Sequence, residues 1–156
     1  MILIAHRGNI NGPDQTNENS PSYIMEAIKR GYQVELDVHF IENKWFLGHD
    51  TPDYQVEMSF LLNDNLWCHA KNHAALEHLL GLGARCFWHQ KDDYTLTSDG
   101  FIWAYPGKPL TQNSICVMPE WFPKDYQSYS QCYGICSDYV EDYNEESGKI
   151  KRFRNS

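Results

Sequence analysis

Short apolar runs punctuate this chain from end to end. They cover residues 2–6, 33–39, 45–48, 66–71, 85–90, 101–105, 115–118 and 134–137, each of strand length and rich in aliphatic or aromatic side chains. Two stretches depart from that rhythm and carry helical spacing. One begins at Pro21, runs to Arg30 and closes at Gly31; the other, 73–82, carries Leu76, Leu79, Leu80 and Leu82. Strands alternating with helices in the first half predict βαβ units and a parallel sheet. Residues 40–47 read as a small hairpin turning at Asn43-Lys44, which would carry His49 back over the end of the preceding strand. The connections 91–100 and 107–114 are too short for ordinary helices. The pattern predicts one domain over 1–140, with the charged and polar stretch 141–156 as a surface tail.

Polar residues with chemical potential gather at the ends of these runs. Ile4-Ala5-His6-Arg7-Gly8, Glu18-Asn19-Ser20, Glu35-Leu36-Asp37-Val38 and Gly48-His49-Asp50 follow one another within the first fifty residues. Side chains alternate along a strand, so Glu35 and Asp37 share one face while Val34, Leu36 and Val38 share the other. Two hard oxygen ligands converging there suit Mg²⁺ or Ca²⁺, and His6 and His49 become candidates for proton transfer beside the ion. Trp67-Cys68-His69-Ala70-Lys71 places His69 and Lys71 on one strand face by the same alternation.

The order and spacing of these elements resemble the glycerophosphodiester phosphodiesterase family, within the phosphatidylinositol phospholipase C-like phosphodiesterase superfamily. Its pattern runs His-Arg-Gly, Glu-Asn-Thr, a helix, Glu-x-Asp-Val and His-Asp. Here Glu18-Asn19-Ser20 takes the second place. The match is dense over residues 1–50 and fragmentary beyond, as in a short, divergent member. The resemblance implies a (β/α)₈ barrel, but the chain is far below the ~250 residues typical of one. The expected architecture is therefore α/β, a reduced or imperfect TIM-type barrel with helices missing around the later strands.

The resemblance also implies roles. His6 would be general base or nucleophile at phosphorus, and His49 the general acid, its ring oriented by Asp50. Glu35 and Asp37 would hold the metal, with Arg7 and Lys71 balancing phosphate charge. The family has Glu-x-Lys at a later strand end, where the Glu is a third metal ligand; here His69 and Lys71 stand in those places. A His69 ligand would make the site less anionic and more tolerant of Mn²⁺ or Zn²⁺. Alternatively His69 hydrogen-bonds substrate, or is structural. His89, at the end of Phe87-Trp88-His89-Gln90, is expected to contact substrate. So is Trp103, which reads equally well as core, and Trp103 and Tyr105 share a face that could stack on a sugar or base. Glu120 is a further candidate acid. Asp138, in Gly134-Ile135-Cys136-Ser137-Asp138, resembles the family's closing Gly-Ile-x-Thr-Asp strand, whose Asp reads as structural.

Composition narrows the setting. A formal net charge of −8, with no basic cluster before the stretch 149–154, argues against a nucleic-acid-binding face. Met1 leads straight into the first strand, and no run approaches membrane-span length, so a cytoplasmic protein without membrane insertion is expected. Five cysteines, an odd number, read as reduced, buried thiols. A barrel lacking helices would expose apolar outer faces that a homodimer would cover. The predicted activity is metal-dependent hydrolysis of a small soluble phosphodiester, glycerophosphodiester-like or linked to a sugar or nucleotide, by histidine acid–base catalysis with a divalent cation, Mg²⁺ foremost. The alternatives are a phospholipase C-like lyase or phosphate transferase giving a cyclic phosphate, and a non-catalytic module binding a phosphoryl ligand.

Overall fold

In a computed structural model, described over residues 1–122, 129 and 131–144, strand β1 (Ile2–His6) sends Ile4 and His6 to one face and Leu3 and Ala5 to the other. Helix α1 (Pro21–Lys29) follows, started by Ser20, whose hydroxyl accepts from the Tyr23 amide. Next come β2 (Gln33–Ile41), β3 (Lys44–Leu47), β4 (Tyr54–Val56), a single-turn α2 (Met58–Leu61) and β5 (Leu66–Ala70). Helix α3 (His73–Leu82) is capped by Asn72, which accepts from the Ala75 amide, and ends at Gly83 in the left-handed region. The second half holds β6 (Cys86–Phe87), β7 (Tyr94–Leu96), β8 (Ile102–Ala104), β9 (Ser114–Val117) and β10 (Gly134–Ser137).

The strands pair in the order β6-β5-β2-β1-β10-β9-β8-β7, parallel except for β7, which runs antiparallel to β8. This mixed sheet curls into a partial barrel. Its two edges meet through hydrogen bonds: Ser98 N donates to Cys86 O, Cys86 N to Ser98 Oγ at 2.9 Å, and Thr95 Oγ1 to Trp88 O at 2.9 Å. β3 and β4 extend the upper half of β2 as an antiparallel flap.

Two cores result. Outside, Val34, Leu36 and Val38 pack under Ile24 and Ala27 of α1 and Ala75 and Leu79 of α3. Inside, Ile4, Trp67, Phe87, Trp103, Ile115 and Cys136 fill the floor of the partial barrel. β2 is therefore covered on both faces, which is why Glu35 and Asp37 are nearly as buried as Val34, Leu36 and Val38. After α3, the described residues include the 3₁₀ turns Pro119–Trp121 and Val140–Tyr143. The outer face of β7 and β8 leaves Leu96 68% and Tyr94 43% exposed. No helix among the described residues is long and apolar enough to cross a membrane. All five cysteines are free and buried.

Several elements differ from the sequence pattern. The 85–90 run makes only a two-residue strand, because the Trp88 and His89 carbonyls are engaged by Thr95 Oγ1 and His69 Nε2 instead of a neighbouring strand. The 101–105 run shortens to Ile102–Ala104, and β4, α2 and β7 were not signalled by the pattern. The hairpin turns at Glu42-Asn43, one residue earlier than predicted: both have positive φ, 50° and 60°, and Ile41 pairs with Lys44. The 141–156 stretch opens inside the packed body, since Tyr143 is buried and Glu141 N bonds Ile10 O; residues 145–156 lie outside the described part.

Candidate functional site

A cavity of about 590 Å³ opens where the parallel strands end, lined by His6, Arg7, Glu35, His49, His69, Lys71, His89 and Trp103 among others. Register brings the first of these together. His6 on β1 stands level with Glu35 on β2, and Asp37 level with His69 on β5. Side-chain alternation then aims all four at the cavity side of the sheet.

His6 is held by one hydrogen bond, Nδ1 to Asp138 Oδ1 at 2.7 Å. A carboxylate only accepts, so Nδ1 carries the hydrogen, and Nε2 is the atom left for proton exchange, 3.8 Å from Glu35 Oε2. Burial works against a charged His6, but the Asp138 bond and the Glu35 charge outweigh it and raise its pKa. Asn9 Nδ2 bridges Asp138 Oδ1 and Glu18 Oε1, both at 2.8 Å, so the orienting carboxylate is itself fixed.

Asp37 is buried among cations. Arg7 Nε lies 3.1 Å from its Oδ2, while His69 Nδ1 and Lys71 Nζ lie 3.2 and 3.5 Å from Oδ1. Burial alone would favour its neutral form; His69, Arg7 and Lys71 reverse that and drive its pKa far below the usual carboxylate range. Asn19 clamps it from behind, donating Nδ2 to Oδ2 and accepting the Asp37 amide, each at 2.9 Å. Arg7 and Asn19 both adopt positive φ, 53° and 62°, strain that the Asn19 N–Arg7 O and Arg7 N–Glu35 O bonds hold in place. The Arg7 guanidinium, expected to balance phosphate charge, donates Nη1 to Glu18 and pairs through Nε with Asp37 without an aligned hydrogen bond, so what it brings to the cavity is chiefly charge.

The geometry around His69 is the most informative. Its Nε2 is 3.1 Å from His89 O, a group that can only accept, so Nε2 bears the hydrogen. Nδ1 then faces Asp37 Oδ1 at 3.2 Å and Glu35 Oε1 at 3.6 Å. A neutral ring would set three lone pairs against each other, so the site needs a positive centre: a proton on Nδ1, or a metal ion between the three groups. Ligand atoms of Glu35, Asp37 and His69 lie within 4.8 Å of one another, and Asp37 Oδ1 is buried without an aligned hydrogen bond. Two carboxylate oxygens and an imidazole nitrogen fit a divalent cation of the Mg²⁺–Mn²⁺–Zn²⁺ range.

His49 reaches the same cavity from the loop after β3. Its Nδ1 bonds Asp50 Oδ1 at 2.7 Å. The loop is pinned by Gly48 N to Asp37 O and by His39 Nε2 to Gly48 O. Gly48 has φ +146°, and a Cβ there would sit 1.9 Å from Thr51 O, so no other residue fits without moving the loop. His89 stands near Asp92, 3.5 Å away, with its pKa lowered by burial and by the adjacent His69. Trp103 is 5% exposed and stacked on Phe87 at 4.4 Å, so it is floor and core at once.

Sequence reasoning passed over Asn9, Asn19, Glu18 and Asp138 as working parts. Glu18 and Asn19 were in view within a quoted motif, and Asp138 within the closing strand; Asn9 carried no signal. Glu120 does not line the cavity but accepts from Ser137 Oγ and Asp138 N. Compared with family models, with curated proteins and with solved structures, the chain finds no match in any of the three.

Proposed function

We propose that the protein is a metal-dependent phosphodiesterase, a divergent relative of the glycerophosphodiester phosphodiesterases built on a reduced TIM-type barrel. The observation that carries this reading is the convergence, in one cavity, of an Asp138-oriented His6, a second histidine, and the Glu35–Asp37–His69 cluster, whose three groups need a proton or a metal ion between them.

Glu35, Asp37 and His69 would hold the cation, which when bound would polarise the phosphate and offset its charge. The chain's own groups do the rest. Arg7 and Lys71 neutralise the phosphate oxygens. His6 Nε2 takes the proton from the attacking oxygen, a water or a neighbouring substrate hydroxyl, as its bond to phosphorus forms. Asp138 stabilises the resulting imidazolium. His49 gives its proton to the leaving oxygen as the ester P–O bond breaks, with Asp50 steadying the ring.

The test is turnover of a chromogenic phosphodiester and of glycerophosphodiesters with Mg²⁺, Mn²⁺ or Ca²⁺, against EDTA, His6→Ala and Glu35→Ala. Metal-dependent turnover, reduced at least about 100-fold in both variants, is expected. Turnover indifferent to both substitutions, or absent with every ion and ester, would sink the reading. Product analysis separates direct hydrolysis from cyclic phosphate formation.

A further inference from the structure

The cavity has two chemically distinct sides. Its charged groups come from β1, β2, β5 and the loops beside them, with Asp138 just after β10. The lining residues on and after β8 and β9 are Trp103, Tyr105, Pro106, Val117, Met118 and Trp121, with no charged side chain among them. Trp103 is already committed to the floor, but Trp121 is 58% exposed and Tyr105 43% exposed. Two large aromatic side chains therefore stand partly open to solvent at the mouth of a site. Exposed aromatic surface is costly to maintain and, beside a concave polar site, points to a ligand that covers it.

Trp121 is also held there by design of the backbone. It ends the 3₁₀ turn Pro119–Trp121, which is entered through Met118 in the left-handed region, φ 46° and ψ 56°. A non-glycine residue persists in that conformation only where its surroundings impose it. Here they do: the Tyr129 hydroxyl reaches Phe122 O at 2.6 Å and Pro119 O at 3.2 Å, spanning the turn. Between them, Glu120 Oε1 accepts from Ser137 Oγ and Asp138 N at 2.9 and 3.0 Å. Asp138 is the carboxylate that orients His6, so the Trp121 platform and the proposed base are fixed to one frame.

We propose that this side of the cavity is a stacking subsite for a neutral ring, so that the substrate is a phosphodiester in which one alcohol is a sugar or a nucleoside. The proposal rests on the phosphodiesterase reading for its phosphate pole. An uncharged wall suits the ring and leaves the single phosphate charge to Arg7, Lys71 and the cation. Sugar C–H faces and nucleobase π-faces both stack on Trp and Tyr, so the shared chemistry is the flat ring.

The experiment compares kcat/KM for the methyl phosphodiesters of uridine, of glucose and of glycerol, with Mn²⁺, in the wild type, Trp121→Ala and Trp121→Phe. One or both ring esters should exceed the glycerol ester about 5- to 150-fold, the range that stacking of a single ring supplies. That ratio should collapse toward one in Trp121→Ala and return in part in Trp121→Phe. The ring that is preferred names the source. A glycerol ester turned over as well as both ring esters, or a ratio unmoved by Trp121→Ala, overturns the subsite while leaving the catalytic reading intact. A binding arm separates the other failure: calorimetry of the methylphosphonate esters of the same three alcohols needs no turnover. Tighter binding of a ring phosphonate that Trp121→Ala removes upholds the subsite even if no ester is cleaved. Equal or absent binding of all three phosphonates, together with no ring preference in turnover, overturns it.

Discussion

A metal ion bound at Glu35, Asp37 and His69 would have to expel a proton. His69 Nε2 is committed to His89 O, so in the metal-free protein the extra proton sits on Nδ1, against Asp37 and Glu35. Burial disfavours the imidazolium, but the two carboxylates prevail and the pKa is pushed up to about 9. Below that pH, metal and proton compete for one nitrogen, and the apparent metal affinity falls about tenfold per pH unit. From pH 9 to pH 7 the loss is about 100-fold, or about 2.7 kcal/mol at 1.36 kcal/mol per unit. Calorimetry with Mn²⁺ at pH 7, in two buffers of different ionisation enthalpy, measures the proton directly. About one proton should leave per ion bound, and His69→Gln should abolish the release while weakening binding. The same proton sets the sign of stability without metal. A raised pKa stabilises fully below the ordinary value of 6.5 and fades as pH rises through about 9. The urea midpoint of EDTA-treated protein should therefore fall across that window, and not in His69→Gln. Proton release near zero, with affinity flat from pH 7 to 9, would refute the reasoning and take His69 out of the ligand set.

Three further substitutions probe the groups that position this cluster. Asp138→Asn removes the charge that raises the His6 pKa, so the ascending limb of the pH–rate profile should move to lower pH as kcat falls; an unmoved limb would contradict the pairing. Asn19→Ala strips one hydrogen bond from the buried Asp37 carboxylate and one from the Asp37 amide, at about 1–3 kcal/mol each, and should lower Tm by about 5–15 °C without added metal. Gly48→Ala forces the loop off Thr51 O and displaces His49. Turnover should drop about 100-fold while Mn²⁺ affinity, set by β2 and β5, stays within about twofold.

What could be read from the sequence was what period two and turn chemistry decide locally. Glu35 and Asp37 opposite Val34, Leu36 and Val38 is a statement about one strand, and it holds because β2 is sandwiched between the inner cavity and two helices. The level pairing of His6 with Glu35 and of Asp37 with His69 depends on strand register, which no local pattern specifies. Asp138 meets His6 across 132 residues of chain, and nothing near either residue announces the other. β6 looked like a full strand because Phe87-Trp88-His89 is apolar and aromatic. Its carbonyls are diverted to side chains from β5 and β7, a competition settled only by tertiary packing.

The helices α1 and α3 cover the half of the sheet that carries the buried charge. Buried carboxylates and cations are tolerable only when each is held at hydrogen-bond distance, because in a low-dielectric interior a slackened pair leaves a desolvated charge alone. The Glu35, Asp37, Arg7 and Lys71 cluster stands on β1, β2 and β5, the strands whose outer faces α1 and α3 cover, and it shares Asn19 with the loop that starts α1. The β8–β9 side carries uncharged rings. Contact between flat faces falls off gently with displacement, so short 3₁₀ turns pinned by Glu120 and Tyr129 suffice there. Among the described residues, the half of the cavity that holds buried charge, and so demands rigid support, is the half whose outer face α1 and α3 cover.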